Sequence, residues 1–259
     1  MIKLIHWQDL NLLSSARPQA GPITTVNLYG GGDLFSASQR ITANHLNRQS
    51  SLLSGENKMT TQGLLGFRYN DVDKLTYNHS DSGPDTLGFK VLKELHAVDN
   101  WDAARQRIDS LHSIPEARRL DEHSSMAESE IRRHFPNLEY KGEPKNFYDL
   151  YQPLQGTLKP YLDGELMFMP DASDFINNSL HCEWAYIANL DTDQFEVWKG
   201  LQTKPDTDEN RYGAEADRMG HYPCTMLMGY HLDDMPDPVR FMADYTFYRD
   251  LTGSSEKRS

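Results

Sequence analysis

Trp184-Ala185-Tyr186-Ile187-Ala188-Asn189-Leu190, Asp191-Thr192-Asp193-Gln194 and Phe195-Glu196-Val197-Trp198 follow one another without a break. Aromatic and β-branched side chains on both sides of an Asp-rich turn predict a β-hairpin. Lys199-Gly200 closes it. Working upstream, Leu64, Leu65, Phe67 and Tyr69, the turn Asn70-Asp71, and Lys74-Leu75-Thr76-Tyr77 predict a second hairpin. Downstream, residues 224–232 read as a further strand and residues 237–248 as a helix.

Helices fill the space between. Asn78-His79-Ser80-Asp81-Ser82-Gly83-Pro84-Asp85 leads into a stripe of Leu87, Val91, Leu95 and Val98. The stripe has helical period, Asp81 or Ser82 is suited to cap it, and Pro84 suits a first turn. A second helix is expected over 101–111, capped by Asp99 or Asn100, with Trp101, Ile108 and Leu111 inward. Short helices are expected near 126–135 and 147–151, and the polar stretch 205–218 reads as a surface loop. The result is an α+β chain: antiparallel sheets with flanking helices, for which an αββα sandwich is one fitting arrangement.

The chain has 259 residues and a net charge of -12. Residues 1–58 carry Lys3, Arg17, Arg40, Arg48 and Lys58 against Asp9, Asp33 and Glu56, so residues 59–259 hold -14. An acidic body opposes binding to a phosphate backbone, so nucleic acid is not expected as a partner; a basic protein surface or a small molecule is. No apolar run is long enough to span a membrane, and the two cysteines, Cys182 and Cys224, suit a reducing compartment; the cytoplasm is the expected location. Residues 1–58 show no sustained period and read as a poorly ordered extension, with 59–251 as one α+β domain and 252–259 as a flexible tail. Met59 falls where the globular pattern begins, so a start or a processing site there is an expectation.

Chemistry is sought first at the strand-to-helix junction. Asn78, His79 and Asp81 precede a helix N-terminus, whose unpaired N–H groups suit anions and carbonyl oxygens, and His79 is able to titrate near neutrality. Thr60 is a second candidate: exposed as an α-amino terminus, it would be activated by its own amine as an N-terminal nucleophile. His181, Glu183, His221, His231 and Asp233 are metal-ligand types, but without a standard zinc spacing. Gly30-Gly31-Gly32-Asp33 lacks the phosphate-loop lysine and reads as a turn. No metal and no cofactor are therefore assigned.

The run Gly63-Leu64-Leu65-Gly66-Phe67-Arg68, then Asp73-Lys74-Leu75-Thr76-Tyr77-Asn78-His79, Asp81-Ser82 and Pro84, resembles a group of uncharacterised bacteriophage and bacterial proteins. Tyr186-Ile187-Ala188-Asn189-Leu190-Asp191-Thr192 and Glu196-Val197-Trp198-Lys199-Gly200 extend the resemblance over roughly residues 61–235. It implies that residues 1–58 are an addition, and it implies no activity. Those proteins carry aromatic residues where Ser80 and Gly83 stand here. Two functions follow as expectations. One is an amidohydrolase-like enzyme of phage or mobile-element origin, with Thr60 as nucleophile and Asn78, His79 and Asp81 binding the amide. The other is a non-enzymatic acidic accessory protein that docks on a basic partner.

Overall fold

The computed structural model describes residues 61–121, 124–206 and 210–256, with side chains to residue 250. Thr60, the glycine run 30–32 and the extension 1–58 lie outside the described residues. Strands β1 (Gly63–Tyr69) and β2 (Val72–Asn78) form the first expected hairpin. Asn70 and Asp71 both have positive φ, 54° and 61°, the conformation a two-residue hairpin turn demands. Helices α1 (Phe89–His96) and α2 (Trp101–Asp109) follow. Asn100 caps α2 by accepting the Ala103 N–H at 2.9 Å. Then come β3 (His112–Pro115), α3 (Ser125–His134), α4 (Phe147–Tyr151), α5 (Lys159–Leu162) and β4 (Phe168–Asp171). The second hairpin is β5 (Trp184–Asn189) and β6 (Gln194–Lys199), and β7 (Thr225–His231) and α6 (Pro238–Glu256) complete the chain. Helix α6 takes in residues 252–256, which composition alone assigns to a tail.

The fold is α+β. Its main sheet has the order β2-β1-β5-β6-β7 and is mixed: β1 pairs with β5 in parallel, and the other neighbours pair antiparallel. The parallel pairing joins the two hairpins side by side. The second sheet holds only two strands, β3 and β4, also parallel. A sandwich of two full sheets is thus not what covers the main sheet. Helices cover one face, where Leu65, Phe67, Tyr186, Ala188, Phe195 and Val197 meet Val91, Leu95, Ile108 and Phe241. Loop segments cover the other, where Leu64, Leu75, Ala185, Ile187 and Trp198 meet Ile176, Cys182 and Cys224. Every residue of β5 is buried, as expected for a central strand covered on both faces. Among the described residues no helix is long and apolar enough to cross a membrane.

The two hairpin tips are tied together. The backbone N–H groups of Asn70 and Asp71 donate to the Asp191 carboxylate at 2.8 and 3.0 Å. The positive φ values of the first turn point both donors at the acceptor on the second.

Candidate functional site

The strand-to-helix junction is built for structure. Asn78 is buried, and its amide N–H groups donate to the Ser80 carbonyl at 2.6 Å and the Ser82 hydroxyl at 2.8 Å. Its Oδ1 faces Gly156, where an added Cβ would lie 2.9 Å away; with φ of +74°, that position favours glycine twice over. The helix entry is capped by neither Asp81 nor Ser82. Its first turn, Pro84–Gly88, is a π turn with Gly83 at the cap position and no side-chain bond. The Ser82 hydroxyl is already engaged by Asn78, while the Ser82 carbonyl accepts the Tyr186 hydroxyl at 2.9 Å. Asp81 is exposed with φ of 55°, and its carbonyl, not its carboxylate, accepts from Leu87 N–H and Thr86 Oγ. His79 is also exposed, and its backbone N–H donates to Gln155 Oε1 at 3.2 Å. Asn78, His79 and Asp81 are therefore close in sequence but point to three separate environments.

His79 does lead to a second cluster. Its Nδ1 lies 3.4 Å from the Tyr77 hydroxyl. Burial pushes that hydroxyl up to about 12, with added contributions from Tyr148, Glu116 and Cys182, so Tyr77 keeps its proton at neutral pH. The Tyr77 ring packs edge-on to Phe175, centroids 5.3 Å apart, and against Tyr148 at 6.0 Å. Beside these rings is a concavity of about 330 Å³ lined by Pro115, Glu116, Asp171, Ser173, Asp174 and Phe175.

The concavity sits at the C-terminal end of the β3–β4 ladder, where Pro115 pairs with Asp171. The Glu116 N–H donates to the Asp171 carbonyl at 3.3 Å, and the Tyr148 N–H donates to the Glu116 carbonyl at 2.9 Å. The Asp171 Oδ1 accepts both the Ser173 N–H at 2.9 Å and its hydroxyl at 2.6 Å. That hydroxyl also accepts the Leu75 N–H at 3.1 Å, which ties the corner to β2. Glu116 is different. Among the described residues its Oε2 is buried without a hydrogen-bond partner. Burial pushes its carboxyl up, and the charge of Asp171 pushes it further. Two carboxyl groups thus share one corner, one hydrogen-bonded and one holding its proton more tightly than usual. That division is what acid–base work by a carboxylate pair requires.

Glu116 and Asp171 carried no weight in the sequence reading. A signal was there: Ile114-Pro115-Glu116 and Met169-Pro170-Asp171 are matching triplets of apolar residue, proline and acid. They pair offset by one residue, Ile114 with Pro170 and Pro115 with Asp171.

Other constellations are less suited to catalysis. Glu196, only 2% exposed, receives Asn189 Nδ2 at 2.7 Å, Trp198 Nε1 at 2.8 Å and both Arg211 terminal nitrogens at 2.9 and 2.6 Å. The Arg211 guanidinium also lies 4.5 Å from the Trp198 ring centroid and 4.9 Å from that of Tyr212. With both carboxylate oxygens engaged, this pair ties the segment at Arg211 and Tyr212 to the sheet. A larger concavity, about 790 Å³, lies among α1, α2 and α5, and several of its groups are engaged in structure. Lys159 pairs with Asp163, Arg107 donates to the Leu162 carbonyl, and Glu94 accepts from Thr157 and Leu158. Of the metal-ligand types, His231 Nδ1 accepts the Asp233 N–H at 3.2 Å and the His221 N–H donates to Asp217. Among the described residues no group of three His, Cys, Asp or Glu is placed to hold a metal ion.

Comparison with known proteins returns no family model, no curated protein and no solved structure that matches the chain.

Proposed function

We propose that the protein is a hydrolase of small amides whose acid–base pair is Glu116 and Asp171. The observation that carries this reading is the buried, unpartnered Oε2 of Glu116 beside a carboxylate whose Oδ1 is already held by Ser173. In amide hydrolysis water must lose a proton as it attacks, and the leaving amine must gain one. In this reading Asp171 takes the first proton through its other oxygen, and Glu116 gives the second. Burial raises the Glu116 carboxyl and the charge of Asp171 raises it further, which suits Glu116 to the acid role. Phe175, which lines the concavity and is backed edge-on by Tyr77, offers apolar contact for the acyl part. The reading keeps the amidohydrolase class drawn from the sequence and moves the chemistry from Thr60 to the ladder end.

The test is turnover of a panel of fluorogenic short-chain amides by wild type, E116Q and D171N. Each substitution is expected to lower kcat/KM by about 10²- to 10⁴-fold, the usual range for loss of a general acid or base. Equal turnover in all three, or no turnover by wild type across the panel, would overturn the assignment. A second reading rests on charge: residues 59–259 hold -14, which suits an accessory protein docking on a basic partner in the cytoplasm. Its mark is capture of a basic protein that weakens as salt rises and is indifferent to E116Q.

A further inference from the structure

The concavity of about 790 Å³ among α1, α2 and α5 gathers cations in a chain that is acidic as a whole. Lys90 and Lys93 stand three residues apart on α1 and so share one helix face; both are exposed and both line the concavity. Among the described residues neither has a hydrogen bond or an ion pair. Arg107 enters from α2. Its guanidinium donates to the Leu162 carbonyl at 2.5 Å, and its stem runs beside Gly164, where an added Cβ would lie 3.4 Å from Arg107 Cδ and Nε. Arg107 is thus a cation held by backbone, with no carboxylate paired to it among the described residues. Lys159 and three carboxylates also line the concavity, but most of these are engaged. Asp163 accepts from Lys159 at 2.5 Å, and the two oxygens of Glu94 accept the Thr157 hydroxyl and the Leu158 N–H, each at 2.7 Å. Asp99 is exposed and, among the described residues, unpaired. Beside it Asn100 spends its Oδ1 on the Ala103 N–H, which leaves its amide N–H groups to donate. Ala97 and Val98 add apolar surface.

We infer that this concavity binds a phosphate monoester of a small hydroxylated molecule, a sugar or polyol phosphate. Such a phosphate carries a charge of about -1.5 to -2 at neutral pH and offers three acceptor oxygens. Lys90, Lys93 and Arg107 supply three cations that no carboxylate neutralises, two as mobile point charges and one as a fixed fork. A carboxylate ligand, with a single charge and two oxygens, would leave part of that set unused. Asp99 repels the phosphate and therefore orients the ligand: its phosphate turns toward the α1 lysines, and its hydroxyls donate to Asp99 and accept from Asn100. The carbon skeleton lies on Ala97 and Val98. No residue of this set belongs to the Glu116 and Asp171 corner, so the two readings stand or fall separately.

Methyl NMR of alanine-labelled full-length protein at neutral pH, with A97S and A103S for assignment, reads the concavity directly, since both alanines line it. The probes are glycerol 3-phosphate, n-propyl phosphate, inorganic phosphate and glycerol. Saturable shifts of the Ala97 and Ala103 methyls are expected with glycerol 3-phosphate and not with glycerol. Binding should weaken about tenfold or more in K90Q/K93Q, which removes two charges facing the ligand. n-Propyl phosphate and inorganic phosphate should each bind about threefold or more weakly than glycerol 3-phosphate, since neither meets Asp99 and Asn100 with hydroxyls. Absence of saturable shifts would overturn the proposal, as would affinity unchanged in K90Q/K93Q. Inorganic phosphate as tight as glycerol 3-phosphate would mean contact with any small anion, and n-propyl phosphate as tight would remove the hydroxylated ligand; either result overturns the assignment. If K90Q/K93Q lowers the melting midpoint, a wild-type salt titration decides: affinity for glycerol 3-phosphate that does not fall as salt rises removes the cationic site.

Discussion

Glu196 and Glu116 are both carboxylates withdrawn from water, and they differ in company. Glu196 sits on the loop-covered face of the main sheet with four donors satisfied from Asn189, Trp198 and the two terminal nitrogens of Arg211. Glu116 sits at a ladder end with one oxygen unpartnered and another acid beside it. A fully partnered buried charge fixes the chain in one arrangement, whereas an under-partnered one holds chemical potential for a ligand or a proton. Burial alone is thus no reason to propose chemistry for a carboxylate; burial with an oxygen left unsatisfied is one.

The largest effect on stability is expected at the first of these. R211A leaves Glu196 buried and uncompensated, which should cost about 3–5 kcal/mol. At about 2–4 °C per kcal/mol for a domain of this size, the melting midpoint should fall by about 6–20 °C. The double variant E196Q/R211M removes both charges and should recover most of that loss in the same calorimetric scan. A double variant no more stable than R211A would show that the loop needs the charge pair itself.

N78A comes next. It removes donors to Ser80 and Ser82 inside a buried corner and should cost about 1–3 kcal/mol in urea unfolding, while leaving kcat/KM for any amide substrate within about threefold. A selective loss of turnover without loss of stability would favour the junction over Glu116 and Asp171 as the place of the proposed chemistry.

E116Q should change the shape of the pH–stability curve more than its height. The folded chain holds the Glu116 proton more tightly than the unfolded chain, in which Glu titrates near about 4.3. That contribution is complete below about pH 4.3 and is lost as pH rises through the folded value. Wild type should therefore lose stability over that window, and E116Q should lose less, by an amount within about 1 kcal/mol. A steeper fall in E116Q would contradict the raised carboxyl. The smallest effect is expected for H79A, an exposed side chain with one long contact to Tyr77: stability should stay within about 0.5 kcal/mol of wild type.

Much of the fold was legible because its signals are local. Both hairpins carry their turn chemistry between their own strands, and the Leu87, Val91 and Leu95 stripe needs no distant partner to declare a helix. The π turn at Pro84 was not legible, since the competing bond between Asn78 and Ser82 depends on how β2 meets that helix. Strands β3 and β4 were missed for a related reason. Each has four residues and contains a proline, so neither shows a strand pattern alone, and only their mutual pairing makes them strands.

The sequence by itself determined the α+β class, the two hairpins, the main helices and the acidic balance, because propensity, period and charge act over a few neighbouring residues or over none. Tertiary structure alone decided that β1 lies beside β5, that Arg211 finds Glu196, and that Glu116 meets Asp171. Those are meetings of residues far apart in the chain. They are set by the shared burial of many side chains at once, and no local stretch of sequence carries that information.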